Sequence, residues 1–380
     1  MATHLAEARV NLDQFRTNVR TVQERIGDTR LLVPVKGNGY GHGAVEMARQ
    51  AEAMGVDYLG VANLYEAIEL RDAGIQAPIL ILSASHPHHA DQLVDADVSV
   101  TVSTYELARA LERAAAERDA TVTAHVKVDT GMGRNGVLAD ETLAFIQFLC
   151  EQCPHISIEG VFSHFSVSFS EAPDDRAYTR RQIETFNSVL DELYANGLLP
   201  PLRHIANSSG LIQYEDEVTS GHYNMVRTGI LTYGYPEVRQ LWTDPVQPIM
   251  NLVTWVVSLK DLPPGSDIGY GRRYTTASTE RIATLSIGYA DGLPPGLANN
   301  GDVLIHGQRA PIVGGVSMDQ VTVNVTDIDG VGVGDEAIIM NGHQPADAIA
   351  DRLHTGFTEV ILTALSPRVA RVYLERSETT

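Results

Sequence analysis

The chain has 380 residues, of which 44% are hydrophobic, and it carries a formal net charge of -20 at pH 7. A chain of this length and composition predicts two globular domains. Because the acidic residues are dispersed along the chain, the charge argues against nucleic acid or an anionic membrane as a partner. No basic start precedes an apolar run, and no stretch is apolar for the length of a membrane span, so we expect a cytoplasmic protein.

From residue 30 to about residue 230, short apolar runs alternate with stretches of helical period. Eight such units fit a closed (β/α)8 TIM-type barrel, whose strands should be nearly continuous in apolar residues because both of their faces are buried, as most of these runs are. We assign this barrel to residues 1–236. The predicted barrel strands are 31–35, 58–62, 79–82, 98–102, 123–128, 158–163, 203–206 and 223–226.

After residue 236 the pattern changes to short alternating runs separated by Gly, Pro and Asp. This pattern is typical of a mainly antiparallel β domain, which we assign to residues 237–380. The junction is predicted at residues 237–248, and a late helix is predicted over "AIADRLH".

The first predicted barrel strand runs into "PVKGNGYGHG", residues 34–43, which contains Lys36. The chain has only three lysines, and the other two are Lys127 and Lys260. In parallel barrels the working residues follow the carboxyl ends of the strands, as Lys36 does. A lysine amine with a lowered pKa can hold a carbonyl as a Schiff base, and the glycines would allow close approach of a cofactor. A surface lysine at the barrel mouth is the alternative.

Two later loops fit a phosphate group. "NSSG" follows the seventh predicted strand, where Asn207 or Ser208 would cap a helix whose free N–H groups attract an anion. "RTGI", residues 227–230, follows the eighth, and barrels often bind phosphate at these two loops. An ordinary helix cap is compatible with the same residues. A Schiff-base lysine and a phosphate site on one barrel face together suggest pyridoxal phosphate.

Seven short motifs follow one another along nearly the whole chain. They are "VKGNGYGHG", "KVDTGMGRNGV", "SHFS", "ANSSG", "MVRTGILTYG", "IGYADG" and "SMDQ". With this order and spacing, the chain resembles the alanine racemase family. The resemblance implies a pyridoxal-phosphate-dependent enzyme, a barrel followed by a β domain, and a head-to-tail homodimer that shares its active sites.

The resemblance also implies roles for single residues. Lys36 would bind the cofactor and act as one base, and Tyr270, from the β domain of the partner subunit, would act as the other. Racemisation needs two bases because a proton leaves one face of a planar carbon and arrives on the other. Arg227 would contact the pyridine nitrogen, and His164 would hydrogen-bond to Arg227.

Further family positions concern the substrate and the phosphate. Arg134 would lie near the substrate carboxylate, which a guanidinium binds well. Lys127 matches a position that is carbamylated in many members, and an ordinary ion-paired barrel lysine is the alternative. The implied phosphate contacts are Tyr40, Ser208, Gly229 and Ile230. The implied substrate pocket and entrance residues are Tyr289, Met318 and Asp319.

The chain departs from the family at Thr358, where a tyrosine is frequent, and at Gly37 and Gly39, where alanines are usual. Because threonine is smaller, it would enlarge the pocket for serine or larger amino acids, so a serine or broad-specificity racemase is the closest alternative to an alanine racemase. A non-catalytic cofactor carrier and a decarboxylase are the alternatives from other classes. Whether the product serves cell-wall synthesis stays open.

Two polar clusters are outside this scheme. His86, His88 and His89 lie within five residues, but no carboxylate or cysteine is spaced to complete a metal site, so we expect an exposed loop and no metal. Cys150 and Cys153 form a single C-x-x-C pair without a second half-site, which favours a structural role.

Overall fold

Eight parallel strands form a sheet that nearly closes on itself in the computed structural model, which describes residues 5–375. Each of the first six strands pairs with the next along the chain, and the eighth pairs with the first through Val226 and Leu31. Backbone hydrogen bonds from Asn224 to Arg203 and from Arg227 to Ala206 link the eighth strand to the seventh. The strands, first to eighth, are Arg30–Pro34, Tyr58–Val61, Ile79–Ile81, Ser99–Val102, Val122–Asp129, Ile156–Phe162, Leu202–His204 and Met225–Arg227.

A helix follows each of the first seven barrel strands. Side-chain caps begin several of them: Asn63, Thr104 and Asn207 each accept a hydrogen bond from the N–H three residues later. These helices are Ala44–Ala53, Leu64–Asp72, Ala90–Asp95, Tyr105–Glu117, Thr142–Gln152, Pro173–Ala195 and Ser208–Val218, and Leu12–Ile26 precedes the first strand. The predicted barrel is therefore confirmed, with strand ends within about two residues of the predicted runs.

The barrel interior contains an apolar cluster drawn from five strands. It consists of Leu32, Tyr58, Leu80, Leu202 and Met225, all buried. Such layers make the inside of the barrel a packed core, so ligands are bound at its rim. The carboxyl ends of the strands form the rim that carries Lys36.

The mainly antiparallel sheet is also confirmed. It is built on the long strand Met250–Leu262, which pairs antiparallel with Ala6–Asn11, Glu280–Leu285 and Glu336–Met340. Its other strands are Asp302–Ile305, Gln308–Pro311, Val321–Asn324 and Ala370–Leu374, and the last of these pairs parallel to Ala6–Asn11. A small hairpin joins Asp267–Ile268 to Tyr274–Thr275. Two short helices, Ala346–Leu353 and Thr358–Thr363, precede the final strand.

The chain separates into two compact units. One contains Arg16–Gly39 and Ala44–Val246. The other contains the residues as far as Phe15, the short segment Tyr40–Gly43, and the residues from Gln247 onward. Within residues 5–375, no helix has the length and apolar character that a bilayer span requires.

Candidate active site

A left-handed turn follows Lys36. Gly37, Asn38 and Gly39 have φ angles of 60, 55 and 60° with ψ angles of 44 to 48°. The left-handed helical region costs an ordinary residue roughly 1–2 kcal/mol, and glycine largely escapes this cost. The Gly37 N–H donates to Glu66 Oε1 at 2.8 Å, and the Ala44 N–H donates to the Asn38 side chain at 3.0 Å. The two glycines therefore suit the turn, which aims the lysine from the end of the first strand.

Four predicted site residues of the barrel unit lie within electrostatic range of a fifth, His164. Burial is the main reason that the pKa of His164 lies well below its ordinary value. Positive charges lower it further, and these belong to Arg227, Lys127, Lys36 and Arg134. The structure thus brings these side chains together, and it keeps His164 neutral among them.

Arg227 is only 4% exposed, and four hydrogen bonds hold its guanidinium in place. Its Nη1 donates to His204 Nδ1 at 2.7 Å. Its Nη2 donates to the carbonyls of Ser163 and Ile205 at 2.9 and 3.0 Å, and to His164 Nδ1 at 3.0 Å. Burial lowers its pKa to about 9, which leaves the guanidinium charged at neutral pH.

The surroundings of Arg227 fit a pyridine nitrogen. Its Nε donates to none of the residues that the structure describes, and no carboxylate among them pairs with it. The Nε–H is therefore a donor that is available to an acceptor bound beside it. The pyridine nitrogen of pyridoxal phosphate is such an acceptor, as the resemblance implies for Arg227.

Lys127 is 2% exposed and forms no ion pair with any residue between 5 and 375. Burial lowers its pKa to about 7, helped by the charges of Arg227 and Arg134. Its Nζ lies 5.2 Å from the centre of the Phe162 ring, and the guanidinium of Arg227 lies 5.3 Å from the same ring. Cation–π contact therefore offsets part of the cost of burying both cations.

Arg134 differs from these residues because it is exposed and makes no hydrogen bond to the described chain. It lies in the loop after the fifth barrel strand. The Asp129 carboxylate shapes this loop by accepting the N–H groups of Gly131 and Gly133 at 2.9 and 3.1 Å. A guanidinium of this kind is available to a carboxylate ligand.

The proposed phosphate loops lie against each other in the barrel unit. Asn207 Oδ1 accepts the Gly210 N–H at 2.9 Å, which begins the helix Ser208–Val218, and Ser208 Oγ accepts the Leu231 N–H at 3.3 Å. Gly229 and Ile230 are buried beside them. Free N–H groups at a helix start suit an anion such as phosphate.

Thr228 is a candidate that sequence reasoning missed. Its hydroxyl is buried and has no hydrogen-bond partner among the described residues. It lies inside the "RTGI" box, so its position next to Gly229 was the available signal. An orphaned hydroxyl in this loop supports a bound polar group, and the loops therefore fit pyridoxal phosphate.

Tyr40 belongs to the segment Tyr40–Gly43, which groups with the second unit, and its side chain is buried. Arg371 Nε donates to the Gly41 carbonyl at 3.0 Å. A Cβ on Gly41 would collide with the carbonyl of Leu362, in the helix Thr358–Thr363. The end of the glycine-rich box is therefore packed against the helix that begins with Thr358.

Tyr270 lies at the tip of the hairpin in the second unit and is 84% exposed. Gly269, Gly271 and Arg272 all have φ angles between 52 and 73°, and the Arg272 side chain pairs with Asp267. The glycines permit this sharp turn. The phenol hydroxyl makes no hydrogen bond to residues 5–375, so the hairpin presents it to solvent.

Tyr289 and Met318 lie side by side in the second unit. The Tyr289 N–H donates to the Ser317 carbonyl at 3.0 Å, and both side chains are about half exposed. The Arg368 guanidinium bridges Asp319 at 2.7 Å and Asp291 at 3.1 Å. Asp319 is therefore held in an ion pair beside Met318, and Arg368 is a neighbour that the sequence did not indicate.

The two remaining clusters are the histidines at 86, 88 and 89 and the pair Cys150 and Cys153. Among residues 5–375, no group of three metal-binding side chains could hold a metal ion. His86 Nδ1 instead accepts the His88 N–H at 3.1 Å, which makes it a helix cap. Cys150 is exposed and Cys153 is buried, and both are free thiols whose pKa values are raised by burial.

Known proteins match the chain along nearly its whole length. The model of the alanine racemase N-terminal domain matches residues 10–237, and that of the C-terminal domain matches residues 249–373. The alanine racemase of Desulfovibrio desulfuricans is 40% identical over 371 residues, which are 97% of this chain and 98% of that protein. The alanine racemase of Symbiobacterium thermophilum is also 40% identical over 371 residues, 96% of each chain.

Solved structures agree with these matches. The Clostridium difficile 630 alanine racemase superposes with a TM-score of 0.91 at 34% identity, covering 99% of this chain and 97% of that one. The Bacillus anthracis alanine racemase with bound L-Ala-P superposes with a TM-score of 0.90 at 33% identity, covering 99% and 96%.

Proposed function

This chain belongs to the alanine racemase family, and from that premise we propose that it moves the Cα proton of alanine with two bases, Lys36 and Tyr270 of the partner subunit. Its activity is the interconversion of L- and D-alanine, and its cofactor is pyridoxal phosphate. The observation that carries the assignment of residues is the cluster of cations around His164 at the carboxyl ends of the barrel strands.

Pyridoxal phosphate, when bound, supplies an electron sink that makes the Cα proton of an amino acid acidic. In our proposal Lys36 anchors the cofactor and carries a proton on its Nζ. Arg227 faces the ring nitrogen, with His164 as its hydrogen-bonding neighbour. The phosphate is held by Tyr40, Asn207, Ser208, Gly229 and Ile230. Thr228, with its orphaned hydroxyl, is added to this set.

The substrate carboxylate is assigned to Arg134. This guanidinium is exposed and has no partner among the described residues, and a bidentate pair with a carboxylate is among the stronger hydrogen-bonded contacts. Tyr289, Met318 and Asp319 bound the pocket and its entrance. Lys127 in carbamylated form would supply the anion that orients Arg134, because no carboxylate of the described chain pairs with either cation.

The second base is assigned to Tyr270 of the partner subunit, so the enzyme works as a homodimer with shared sites. The Tyr270 side chain is 84% exposed and its hydroxyl makes no hydrogen bond to residues 5–375, so another surface has to position it for proton transfer. Phe357 and Val360 of the same unit are also exposed, at 47% and 49%. Exposed aromatic and aliphatic side chains are typical of a surface that another subunit covers.

Subunit mixing tests the shared site. Lys36→Ala and Tyr270→Phe chains are each expected to be inactive alone, but a mixed dimer has one site with both lesions and one with neither. After random exchange, half of the dimers are mixed, so about a quarter of all sites should work. Self-mixing of each variant is the control, and no recovery in verified mixed dimers would contradict shared sites.

A serine or broad-specificity racemase is the second candidate, and Thr358 favours it. Thr358 begins the helix packed against Gly41, where a tyrosine is frequent in the family. We expect Thr358→Tyr to raise the ratio of kcat/KM for alanine over serine by roughly tenfold. This is the lower end of the discrimination that a pocket achieves between substrates that differ by one small group. Thr358→Val, which replaces the hydroxyl by a methyl group of similar size, is the control, and an unchanged ratio in Thr358→Tyr would remove this candidate.

The cofactor carrier and the decarboxylase each leave part of the chain unexplained. A carrier on a single barrel needs no second domain, and a decarboxylase does not explain a match to both alanine racemase domains. We also propose a cytoplasmic location and a role in supplying D-alanine for peptidoglycan, with family membership as the support. Rescue of D-alanine auxotrophy in a racemase-deficient bacterium would test the role, and fractionation of the rescued cells would test the location.

A further inference from the structure

Four polar side chains form a continuous hydrogen-bonded row through the interior of the barrel. Glu159 Oε2 lies 3.1 Å from His125 Nε2. His125 Nδ1 lies 3.1 Å from His204 Nε2, and His204 Nδ1 lies 2.7 Å from Arg227 Nη1. The four residues come from the sixth, fifth, seventh and eighth barrel strands, so closure of the barrel is what assembles the row.

The two ends of this row fix the direction of every hydrogen bond in it. A guanidinium can only donate, so His204 Nδ1 must accept and its proton must be on Nε2. His204 Nε2 therefore donates to His125 Nδ1, which places the His125 proton on its Nε2. That proton is donated to the Glu159 carboxylate, which can only accept.

Burial makes this arrangement the stable one. His125 and His204 are both 0% exposed, and burial lowers the pKa of each below its ordinary value, so both are neutral. A neutral imidazole has one donor and one acceptor, and the row uses both on each ring. Reversing one tautomer would leave two buried N–H groups facing each other, which is costly in a dry interior.

The outer end of the row reaches a different surface from the proposed active site. Glu159 lines a pocket of about 450 Å³ together with Tyr58 and Ser99, at the amino-terminal ends of the strands. The hydrogen bond from His125 is the main cause that lowers the pKa of Glu159, and the hydroxyls of Tyr58 and Ser99 act in the same direction. Glu159 is therefore an anion at neutral pH, and it is the only carboxylate in the row that ends at Arg227.

We propose that Glu159 is a positioning residue for Arg227, acting by holding His125 and His204 in the tautomers that present an acceptor to the guanidinium. Arg227 has no carboxylate partner of its own, so its Nη1 direction depends on His204. The inference rests on the proposed function only in giving Arg227 its role toward the cofactor. The row itself, and its tautomers, are independent of the reaction.

The primary test is nitrogen NMR of the holoenzyme with ¹⁵N-labelled histidine rings, whose shifts distinguish a protonated from an unprotonated ring nitrogen. We expect His125 and His204 to be neutral with the proton on Nε2 in the unmodified protein. Loss of single signals in His125→Phe and His204→Asn assigns them. A proton on Nδ1 of either ring in the unmodified protein overturns the proposal without any variant having to fold.

Two variants of Glu159 separate the effect of its hydrogen-bond acceptor from the effect of its negative charge. Glu159→Gln can still accept from His125 through its amide oxygen, so we expect the tautomers to persist and kcat/KM for alanine to stay within about threefold. Glu159→Leu leaves the buried His125 Nε2–H without an acceptor, and the cost of that unpaired donor opposes the tautomer that Arg227 favours. We therefore expect the His204 signal to become a mixture and kcat/KM to fall about 10- to 100-fold, the range typical of residues that orient a functional group through a hydrogen bond. The absorbance spectrum of the bound cofactor should change in Glu159→Leu and persist in Glu159→Gln.

The matched control is Glu112→Leu. Glu112 Oε1 accepts from His155 Nδ1 at 2.7 Å in the same unit, but this pair is outside the row. We expect it to leave the two tautomers and the cofactor spectrum unchanged. If Glu159→Leu leaves both tautomers unchanged and kcat/KM within twofold, the proposal is refuted. If the unmodified protein has the expected tautomers but does not turn over alanine, only the proposed function is refuted.

Discussion

The barrel unit and the second unit present their assigned site residues in opposite ways. In the barrel, Arg227 and Lys127 are almost fully buried, and Arg227 is held by four hydrogen bonds before any ligand arrives. In the second unit, Tyr270 and Met318 are largely exposed, and the Tyr270 hydroxyl has no partner among residues 5–375.

This difference indicates a division of labour. Preorganised donors in a buried site stabilise charge at little reorganisation cost, which suits the binding and tuning of a cofactor. An exposed phenol on a sharp turn has no such support until another surface covers it. The barrel unit is therefore expected to supply all of the assigned cofactor contacts except Tyr40, while Tyr270 of the second unit works only after assembly.

Replacing Lys36 tests the barrel half most severely. Lys36→Ala should lower kcat/KM for alanine by about 10⁴-fold or more, because it removes both the anchor and one base. Turnover in both directions and the absorbance of the bound cofactor are the measurements. A variant with more than about a tenth of normal turnover would exclude Lys36 as the anchor, provided that its thermal unfolding is unchanged.

Tyr270→Phe tests the second unit with a smaller expected loss. Removing a general base typically costs 10²–10⁴-fold, so racemisation should fall by about that factor. Incubation with alanine in D2O should still show Cα exchange through Lys36, without inversion. Tyr274→Phe, in the same hairpin, is the control, and inversion that stays in step with exchange in Tyr270→Phe would give the second base to another residue.

The pH dependence of Lys127 tests how the buried cations are balanced. Its pKa of about 7 lies below the ordinary 10.5, so the reactive neutral amine becomes the main form above neutral pH. In ¹³C NMR with ¹³C-bicarbonate, the intensity of a carbamate signal should rise from pH 6 to pH 8, and the signal should be absent in Lys127→Ala. The KM of Lys127→Ala for alanine should rise about tenfold. Lys260→Ala, which changes an exposed lysine, should keep the signal, and a signal lost only in Lys260→Ala would assign it elsewhere.

The smallest effect is expected at the turn after Lys36. Gly37→Ala places a Cβ at a φ of 60°, which should lower the free energy of unfolding by about 1 kcal/mol and Tm by a few degrees. Gly342→Ala is the control, because its φ lies outside the left-handed region and a Cβ there meets nothing within 4 Å. Equal Tm values for the two variants would show that the turn is not under left-handed strain.

Much of the fold could be predicted because its signals are local. Runs such as "LLVPV" and "ILIL" are apolar at successive positions, as expected of a strand buried on both faces, and all eight predicted runs overlap a barrel strand. The N-terminal strand Ala6–Asn11 was not predicted. Its partners are Met250–Leu262 and Ala370–Leu374, so its place in the sheet depends on pairing across hundreds of residues.

The site was predictable where a motif carries its own chemistry. Lys36 stands out because lysine is rare in the chain and follows a strand, and Asn207 because it precedes a helical period. The assignments of Tyr270 and Arg134 depend on the family resemblance and stay predictions. Thr228 and the row behind Arg227 were missed, although His125, Glu159 and His204 are polar residues inside predicted buried strands, which was the available signal.

The amino-acid sequence by itself determined the strand and helix repeats, the change to a β domain, and the family to which the chain belongs, because periodicity and motifs are read within a few residues. Only the tertiary structure decided that "KGNGY" is a left-handed turn, and that His125, Glu159, His204 and Arg227 form one row. These features depend on backbone angles and on side chains from four different strands. They arise only when the barrel closes and removes these groups from water.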